Sequence, residues 1–207
     1  MAGRTRWRGV TRPAPGRRRS APVEVVAHGT RADLTRPSGA DEAEFLAAVR
    51  ASRELHGDWV SPPADGPAFA SYLLRLAAAD HDGYFVRARE DGRLAGVVNL
   101  NNIVRGSFQS AYTGYYAFVG SEGRGLLTEG VALLVGQAFG PLGLHRVEAD
   151  IQPDNVRSIR LAERLGFRDE GLARRLLYIA GDWRDHRRFV MLREDWPARA
   201  NGGQVRG

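Results

Sequence analysis

The order of apolar and polar positions along the chain predicts a series of helices and strands. Apolar residues recur near helical spacing between residues 41 and 56, and as a wider stripe between residues 125 and 139. Helices are predicted at residues 41–56, 68–79, 125–139 and 155–165, and strands at residues 31–37, 83–89, 93–101, 111–119, 145–151, 170–178 and 183–191.

Turn residues support these boundaries. Pro67 suits the first turn of a helix, Asp91-Gly92 is a hairpin signal, and Gly166 suits a helix C-cap. The resulting order is β-α-α-β-β-β-α-β-α-β-β. An antiparallel meander followed by a β-α-β unit predicts an α/β protein (α+β, mixed sheet). Its sheet is mostly antiparallel, with about seven strands and about four helices.

The most informative segment is Gly123-Arg124-Gly125-Leu126-Leu127-Thr128-Glu129-Gly130, between a strand and a helix. Gly120, Gly123 and Gly125 allow sharp turns and leave backbone N–H groups uncovered by side chains. The N-terminus of the helix adds free N–H donors and partial positive charge, so this segment predicts a pyrophosphate site. Ordinary strand-to-helix turns have similar glycines, and both interpretations stay open on this segment alone.

A nicotinamide-dependent oxidoreductase is one alternative for such a loop. In a doubly wound dinucleotide fold, the glycine loop follows the first strand of an alternating β-α series, and an acid lies about 20 residues further on. Glu148 and Asp150 are near that distance, but the elements between have the wrong order. The order of elements therefore argues against this class.

Composition excludes several other classes. The chain has 207 residues, of which 43% are hydrophobic, enough for one domain of ordinary size. The absence of cysteine excludes disulfides, cysteine–zinc sites and thiol nucleophiles, and the five histidines lack metal-ligand spacing. No apolar run approaches the ~20 residues of a membrane helix, and none typical of a secretory signal follows the basic N-terminus. A cytoplasmic protein without membrane contact is expected.

The charge is concentrated near the N-terminus. The formal net charge is +6, and all 30 basic residues are arginine. Residues 1–28 hold many of them, with no acid before Glu24, so this segment is predicted to be a disordered basic tail. It either makes weak contacts with RNA or the ribosome, or is only solvated. The folded domain is predicted at residues 29–195, and a flexible tail at residues 196–207.

Three more segments follow in order: Gln152-Pro153-Asp154-Asn155-Val156-Arg157-Ser158, Leu165-Gly166-Phe167 with Glu170-Gly171, and Gly181-Asp182-Trp183-Arg184-Asp185-His186. In their order and spacing, the chain resembles the GNAT N-acetyltransferase superfamily, and most of all its ribosomal-protein alanine (Rim-type) N-terminal acetyltransferases. The resemblance covers residues 31–195 and implies the GNAT acyltransferase fold, with a twisted central sheet. Gly120 departs from the family, whose phosphate loop usually has glutamine or arginine there.

The resemblance implies acetyl-CoA as the acetyl donor, and no metal. The diphosphate is expected on the backbone N–H groups of about residues 122–126, and the pantetheine arm along the strand edge at residues 116–119. The expected cofactor-binding residues are Phe118, Val119, Glu122, Gly123, Arg124, Gly125, Leu126, Asn155 and Ser158.

Asn155 and Ser158 are also the expected catalytic residues. Asn155 begins a helix and serves there as an N-cap, as a contact to the cofactor, or as both. Ser158 lies one helical turn further on and faces the same way. The resemblance implies that Ser158 protonates the leaving thiolate, and the alternative is an ordinary serine on the helix surface.

The implied reaction is direct attack of an amine on the thioester, without a covalent enzyme intermediate. The amine must be neutral, which favours an α-amino group (pKa about 7.7–8.0) over lysine (pKa about 10.4). The expected substrate-binding residues are His56, Asp58, Trp59 and Tyr112. Three have structural alternatives: His56 as a surface histidine at a helix end, Asp58 as a turn former, and Trp59 as a core aromatic.

The general base is not identified by the sequence. In some ribosomal-protein acetyltransferases an acid on the penultimate strand has this role, but residues 174–178 hold no acid. Asp185 and His186 lack a neighbouring nucleophile in the sequence. Asp185 is therefore interpreted as a structural hydrogen-bonding residue.

The leading acceptor is the N-terminal α-amine of a protein such as a ribosomal protein, and the resemblance favours a homodimer. Rival acceptors are small amines, amino acids and aminoglycoside-like antibiotics, although the expected mouth has few acids for a cationic antibiotic. A rival of another class is a non-catalytic RNA- or ribosome-associated protein that binds through its basic tail.

Overall fold

The computed structural model describes residues 24–179 and 181–196, and predictions for residues 1–23, 180 and 197–207 lie outside this part of the chain. The described helices are α1 (Glu42–Ala51), α2 (Arg53–His56), α3 (Gly66–Leu76), α4 (Leu126–Phe139) and α5 (Val156–Leu165). The strands are β1 (Val25–His28), β2 (Ala32–Thr35), β3 (Asp82–Ala88), β4 (Leu94–Val104), β5 (Ser110–Ala117), β6 (Arg146–Ile151), β7 (Arg168–Ile179) and β8 (Asp182–Leu192). None of the described helices is long and apolar enough to cross a membrane.

The eight strands form one sheet in the order β1-β2-β3-β4-β5-β6-β8-β7. Neighbours are antiparallel except β5 and β6, which are joined through α4 as a β-α-β unit. The predicted mixed, mostly antiparallel α/β sheet is confirmed. The described residues contain one strand and one helix more than predicted.

Helices cover both faces of the sheet. Along β3 the side chains alternate: Tyr84 and Val86 belong to the core beneath α4, whereas Phe85 packs with α1 and α3 on the other face. On that second face, the rings of Phe45 and Phe69 lie 4.8 Å apart. Helix α5 packs beside α4 and against β6. The sheet is thus fixed from both sides around its centre.

The predicted N-terminal boundary is wrong. Residues 25–28, assigned to the basic tail, form the edge strand β1, and the strand predicted at 31–37 is β2 alone. The apolar pattern of β1 is too short to predict a strand. A contact from α4 holds the β1–β2 turn instead: the backbone N–H groups of Thr30 and Arg31 donate to the Glu129 carboxylate (2.5 and 2.9 Å).

The helix predicted at residues 41–56 is interrupted at Ser52. The buried Ser52 hydroxyl donates to the Ala48 carbonyl (2.7 Å) and accepts from the Val119 N–H group (2.9 Å). A serine that bonds back four residues competes with the helix hydrogen bonds and bends the helix. The break ends α1, and α2 then brings His56 to the end of β5.

The C-terminal boundary lies slightly later than predicted. Trp196, assigned to the flexible tail, packs against Phe139 of α4, with 6.5 Å between ring centroids. The tails predicted for residues 1–23 and 197–207 stay predictions.

Candidate active site

Strands β5 and β6 separate in the middle of the sheet. They pair from Ser110 opposite Arg146 to Tyr112 opposite Glu148, and β5 then continues to Ala117 without this partner. The divergence opens a slot, and two cavities meet there. Both cavities are lined by Trp59, Val60, Tyr115, Asn155 and Ser158.

The larger cavity, about 1160 Å³, lies over the glycine loop and the start of α4. Every backbone N–H group from Glu122 to Thr128 lacks an acceptor among the described residues. Gly120, Gly123 and Gly125 have φ angles of 81°, 70° and 73°, in the left-handed region that favours glycine. These turns expose consecutive N–H donors at a helix N-terminus, an arrangement that suits a diphosphate.

The loop side chains differ in what they offer to this cavity. Glu122, Gly123, Arg124 and Gly125 line it. The Leu126 side chain is buried in the core, so Leu126 presents only its N–H group. Ser121 also lines the cavity; it is 3% exposed, and its hydroxyl has no partner among the described residues.

Arginine dominates the charge of the larger cavity. The charged lining residues are Arg31, Arg124, Arg157, Arg160 and Arg164, with Glu54, Glu122 and Asp154 as the acids. A basic wall above free N–H donors suits a ligand with several phosphate groups, because hydrogen bonds to charged oxygens are the strong ones.

Two arginines from other segments stand around the glycine loop, where the family's usual side chain is missing at Gly120. Arg93 donates to the Gly120 carbonyl (3.0 Å). The Arg31 guanidinium lies 3.2 Å from the place that a Cβ on Gly125 would take. A cation beside the positive end of a helix is unfavourable by itself, and an anion bound between them removes this repulsion.

Asn155 and Ser158 stand where the cavities meet. The Asn155 Oδ1 accepts from the Ser158 N–H group (3.2 Å), so Asn155 is the N-cap of α5, one of its two predicted roles. The Tyr115 hydroxyl donates to the Ser158 carbonyl (3.4 Å), and burial raises the pKa of Tyr115 well above its usual range. The Ser158 Oγ has no partner among the described residues and is free to contact a ligand.

The backbone N–H groups of two predicted cofactor-binding residues already have partners in the protein. The Phe118 N–H group donates to the Ala95 carbonyl of β4, and the Val119 N–H group donates to Ser52 Oγ (both 2.9 Å). Backbone groups alternate in direction along a strand, so the neighbouring Ala117 faces the slot instead. Neither Phe118 nor Val119 lines either of these two cavities, whereas Ala117 lines the larger one.

His56 is buried rather than on the surface. It is 5% exposed, and its Nε2 donates to the Ala117 carbonyl (2.8 Å). Since a carbonyl only accepts, Nε2 carries a proton. His56 lines the larger cavity and not the second one, so it braces the end of β5 and lies away from the expected acceptor side.

Of the other three predicted substrate-binding residues, two line the second cavity and one does not. Trp59 and Tyr112 line the second cavity, and Trp59 is 40% exposed, so it is a wall residue and not a core aromatic. Asp58 is exposed in a turn that the Trp59 N–H group closes on the His56 carbonyl (3.0 Å), and it lines neither cavity. Its alternative role as a turn former agrees with this place.

The second cavity, about 450 Å³, is bounded by a charged network. Asp150 is the carboxylate that lines it, and its Oδ1 lies 3.1 Å from the Arg188 Nε. Arg188 also lies 3.1 Å from a Glu148 oxygen, and Arg146 Nε donates to Glu148 (2.9 Å). Burial raises the pKa of Tyr112, which contacts the same cavity. The Asp150 carboxylate is therefore already paired with Arg188.

Asp185 has the structural role expected of it. Its Oδ1 accepts from the Arg175 N–H group (2.7 Å), and Arg175 has a φ of 50° where the β7–β8 register shifts. Leu176 and Leu177, next to this irregularity, line the second cavity. Asp185 thus stabilises the bulge that brings β7 to the site.

Comparison with known proteins agrees with this geometry. A family model described as acetyltransferase (GNAT) domain matches residues 31–168. The chain belongs to this family of N-acetyltransferases. Probable N-acetyltransferase YjcK of Bacillus subtilis (strain 168) is 40% identical over 124 residues, which cover 60% of this chain and 68% of YjcK.

Two further similarities concern ribosomal-protein enzymes. The [Ribosomal protein uS5]-alanine N-acetyltransferase of Escherichia coli (strain K12) is 37% identical over 107 residues, 52% of this chain. The chain spans only 55% of that relative's length. The solved structure of Mycobacterium smegmatis RimJ in complex with CoA-disulfide has a TM-score of 0.75 at 26% identity, covering 87% of this chain and 90% of RimJ.

Sequence reasoning misses several residues of this GNAT site. Arg31 lies far along the chain from the glycine loop, so no local pattern indicates it. Tyr115 belongs to a strand whose alternation could have shown which residues face the slot. His186 stands in a recognised motif, yet its cavity becomes evident only when β8, α5 and β5 are brought together.

Proposed function

We propose that this GNAT protein transfers the acetyl group of acetyl-CoA to the N-terminal α-amine of a protein, such as a ribosomal protein. One observation carries the proposal: a basic cavity with free N–H donors meets a second, less basic cavity at Asn155 and Ser158. A phosphate-bearing donor suits the first cavity and an amine the second, so the reacting groups meet at the slot.

Acetyl-CoA fits the larger cavity on observations from three segments. The N–H groups from Glu122 to Thr128 suit its diphosphate, and the arginines of α5 suit a further phosphate. The edge of β5 beyond Tyr112, which has no β6 partner, suits the amides of the pantetheine arm. When bound, acetyl-CoA supplies a thioester whose C–S bond breaks as the amine forms a C–N bond. The CoA-disulfide named with RimJ supports the same ligand class here.

Asn155 and Ser158 act at the reacting centre in this proposal. Ser158 lines both cavities, and its unpartnered hydroxyl gives a proton to the leaving sulfur. The Asn155 carbonyl oxygen is occupied as the N-cap, but its Nδ2 has no acceptor among the described residues and is available to the pantetheine arm. A single residue thus fixes the start of α5 and orients the donor.

The acceptor class rests on chemistry and on the relatives. The second cavity has exposed apolar residues around it, Trp59 and Leu177 (40% and 43% exposed), which suit the first side chains of a polypeptide. The E. coli relative is named for the alanine of a ribosomal protein. An α-amine also reaches its neutral, nucleophilic form more readily than lysine.

Acetylation is expected at the α-amine of a peptide that begins with alanine and contains one lysine. The difference in pKa makes the neutral α-amine roughly 300-fold more abundant than neutral lysine at pH 7. Mass spectrometry of the product locates the acetyl group. The matched control is the same peptide with its N-terminus already acetylated, which should remain unmodified. Turnover on lysine, or on small amines alone, would contradict the proposed acceptor.

Substitution of Arg31 by glutamine is expected to weaken coenzyme A binding about tenfold, since one charge-assisted hydrogen bond is worth about 1.5–3 kcal/mol before solvent screening. Its control is Arg89→Gln: Arg89 donates to the Gly29 carbonyl (2.7 Å) in the same turn but lines neither cavity. Calorimetric titration at two salt concentrations should show a smaller salt dependence for the Arg31 variant only. Equal coenzyme A affinities of the two variants would show that Arg31 does not contribute to phosphate binding.

Two finer expectations remain part of the proposal. The basic N-terminal segment is proposed to contact RNA or the ribosome weakly, and two copies of the chain are proposed to form a homodimer.

A further inference from the structure

We propose that His186 is the general base that takes the proton from the attacking amine. This inference rests on the proposed function and adds the catalytic residue that the sequence alone does not identify. It starts from the geometry of β8, which places a buried imidazole in the wall of the second cavity.

The hydrogen bonding of His186 fixes which nitrogen carries the proton. The side chain is 2% exposed, and its Nδ1 lies 3.0 Å from the Arg184 carbonyl oxygen. A carbonyl oxygen only accepts, so Nδ1 is the donor. In the neutral ring, Nε2 then holds the lone pair. Backbone geometry has thus oriented the imidazole as a base before any ligand arrives.

Nε2 remains available for this role. It has no hydrogen-bond partner among the described residues. His186 lines the second cavity, so its ring borders the space in which the acceptor amine would lie. Asn155 and Ser158 line the same cavity, which places the imidazole and the proposed proton donor in the walls of one space.

The other titratable groups around this cavity are unsuited to accept a proton. Asp150 of β6 is paired with Arg188 (3.1 Å). Burial raises the pKa values of Tyr112 and Tyr115 of β5, so both phenols stay protonated near neutral pH. The cavity residues from α5 and β7 carry no charge, and neither do Trp59 and Val60.

On its own strand, His186 is flanked directly by Asp185 and Arg187, and Arg184 and Arg188 lie two positions away on either side. On β7, the residue opposite His186 is the uncharged Ala173.

Bond formation, bond breakage and proton transfer balance over one turnover. The amine nitrogen forms the C–N bond to the acetyl carbon, and the C–S bond breaks with its electron pair on sulfur. The surplus proton of nitrogen passes to His186 Nε2, and sulfur takes the Ser158 proton. Solvent then carries the proton from the imidazolium back to the Ser158 oxygen, which restores both residues.

The test is His186→Asn, assayed with acetyl-CoA and a peptide that begins with alanine. The asparagine amide nitrogen takes the place of Nδ1 and keeps the bond to the Arg184 carbonyl, but it offers no base. We expect unchanged coenzyme A affinity and a fall in kcat/KM of about 100-fold, the lower range for general base catalysis. On the acid side of the pH profile, the fall in kcat/KM should involve one protonation fewer in the variant than in the wild type, leaving only the protonation of the acceptor amine.

The control is His145→Asn, because His145 bonds Glu194 on the surface (3.2 Å) and lines neither cavity; its kinetics should match the wild type. A His186→Asn variant within about twofold of wild-type kcat/KM would overturn the assignment. The assignment would also be overturned if, on the acid side, the wild-type kcat/KM followed only the protonation of the acceptor amine. This result does not depend on folding of the variant. If the wild-type protein shows no turnover with acetyl-CoA and this peptide, the proposed function itself is contradicted.

Discussion

Replacing Gly123 by valine is expected to lower acetyl-CoA affinity by at least about 100-fold. Gly123 has a φ of 70°, and a Cβ built on it meets nothing within 4 Å because it points into open space. Since Gly123 lines the larger cavity, the branched side chain would cover the N–H donors of the loop. Loss of two hydrogen bonds to a charged ligand, each about 1.5–3 kcal/mol, accounts for this effect.

Gly106 provides the matched control for this substitution. It has nearly the same φ, 69°, and likewise meets nothing within 4 Å, but it lies in the exposed β4–β5 loop and lines neither cavity. Gly106→Val carries a similar backbone strain of about 1–2 kcal/mol without reaching the donors. Calorimetric titration of both variants separates strain from binding, and equal affinities would exclude the glycine loop as the diphosphate site.

Gly130 and Gly136 are expected to respond to alanine in opposite directions. A Cβ on Gly130 would lie 2.4 Å from a methyl group of the buried Val86, so α4 or β3 must move. Overpacking of this kind costs typically about 1–3 kcal/mol and should outweigh the gain in helix propensity. A Cβ on Gly136 meets nothing within 4 Å, and Gly136→Ala should stabilise the protein by up to about 1 kcal/mol.

Denaturant unfolding of the two variants measures this difference. Both substitutions add one methyl group to the same helix, so propensity alone predicts that both variants gain stability. A stabilised Gly130→Ala variant would show that α4 does not need its close approach to β3. A destabilised one should also bind acetyl-CoA more weakly, because α4 begins at the glycine loop.

The sequence predicts those parts of the fold that depend on local patterns. The apolar stripe of α4, the Asp91-Gly92 hairpin and the capped ends of α5 involve residues close together in the chain, and all are present. The glycines of the loop before α4 belong to the same class, because a left-handed φ is a property of single residues.

Features that depend on distant segments escape such reasoning. Ser52 divides a predicted helix because its hydroxyl also serves Val119. His56 looks like a surface residue until the end of β5 covers it. Phe118 and Val119 lie in the right segment, but their N–H groups already have partners. For Ser52, His56 and Val119, what decides the role is a contact more than 50 residues away in the chain. For Phe118 it is a backbone partner on the neighbouring strand β4.

The Glu129 contact with the β1–β2 turn also bears on the order of assembly during synthesis. Its two hydrogen bonds join groups 99 and 98 positions apart. Such non-local closures follow the local elements in folding, and the N-terminal part of a chain leaves the ribosome first. Arg31 therefore emerges long before the helix that orients it, and a nascent chain completes the proposed phosphate site only after α4 has docked on the sheet.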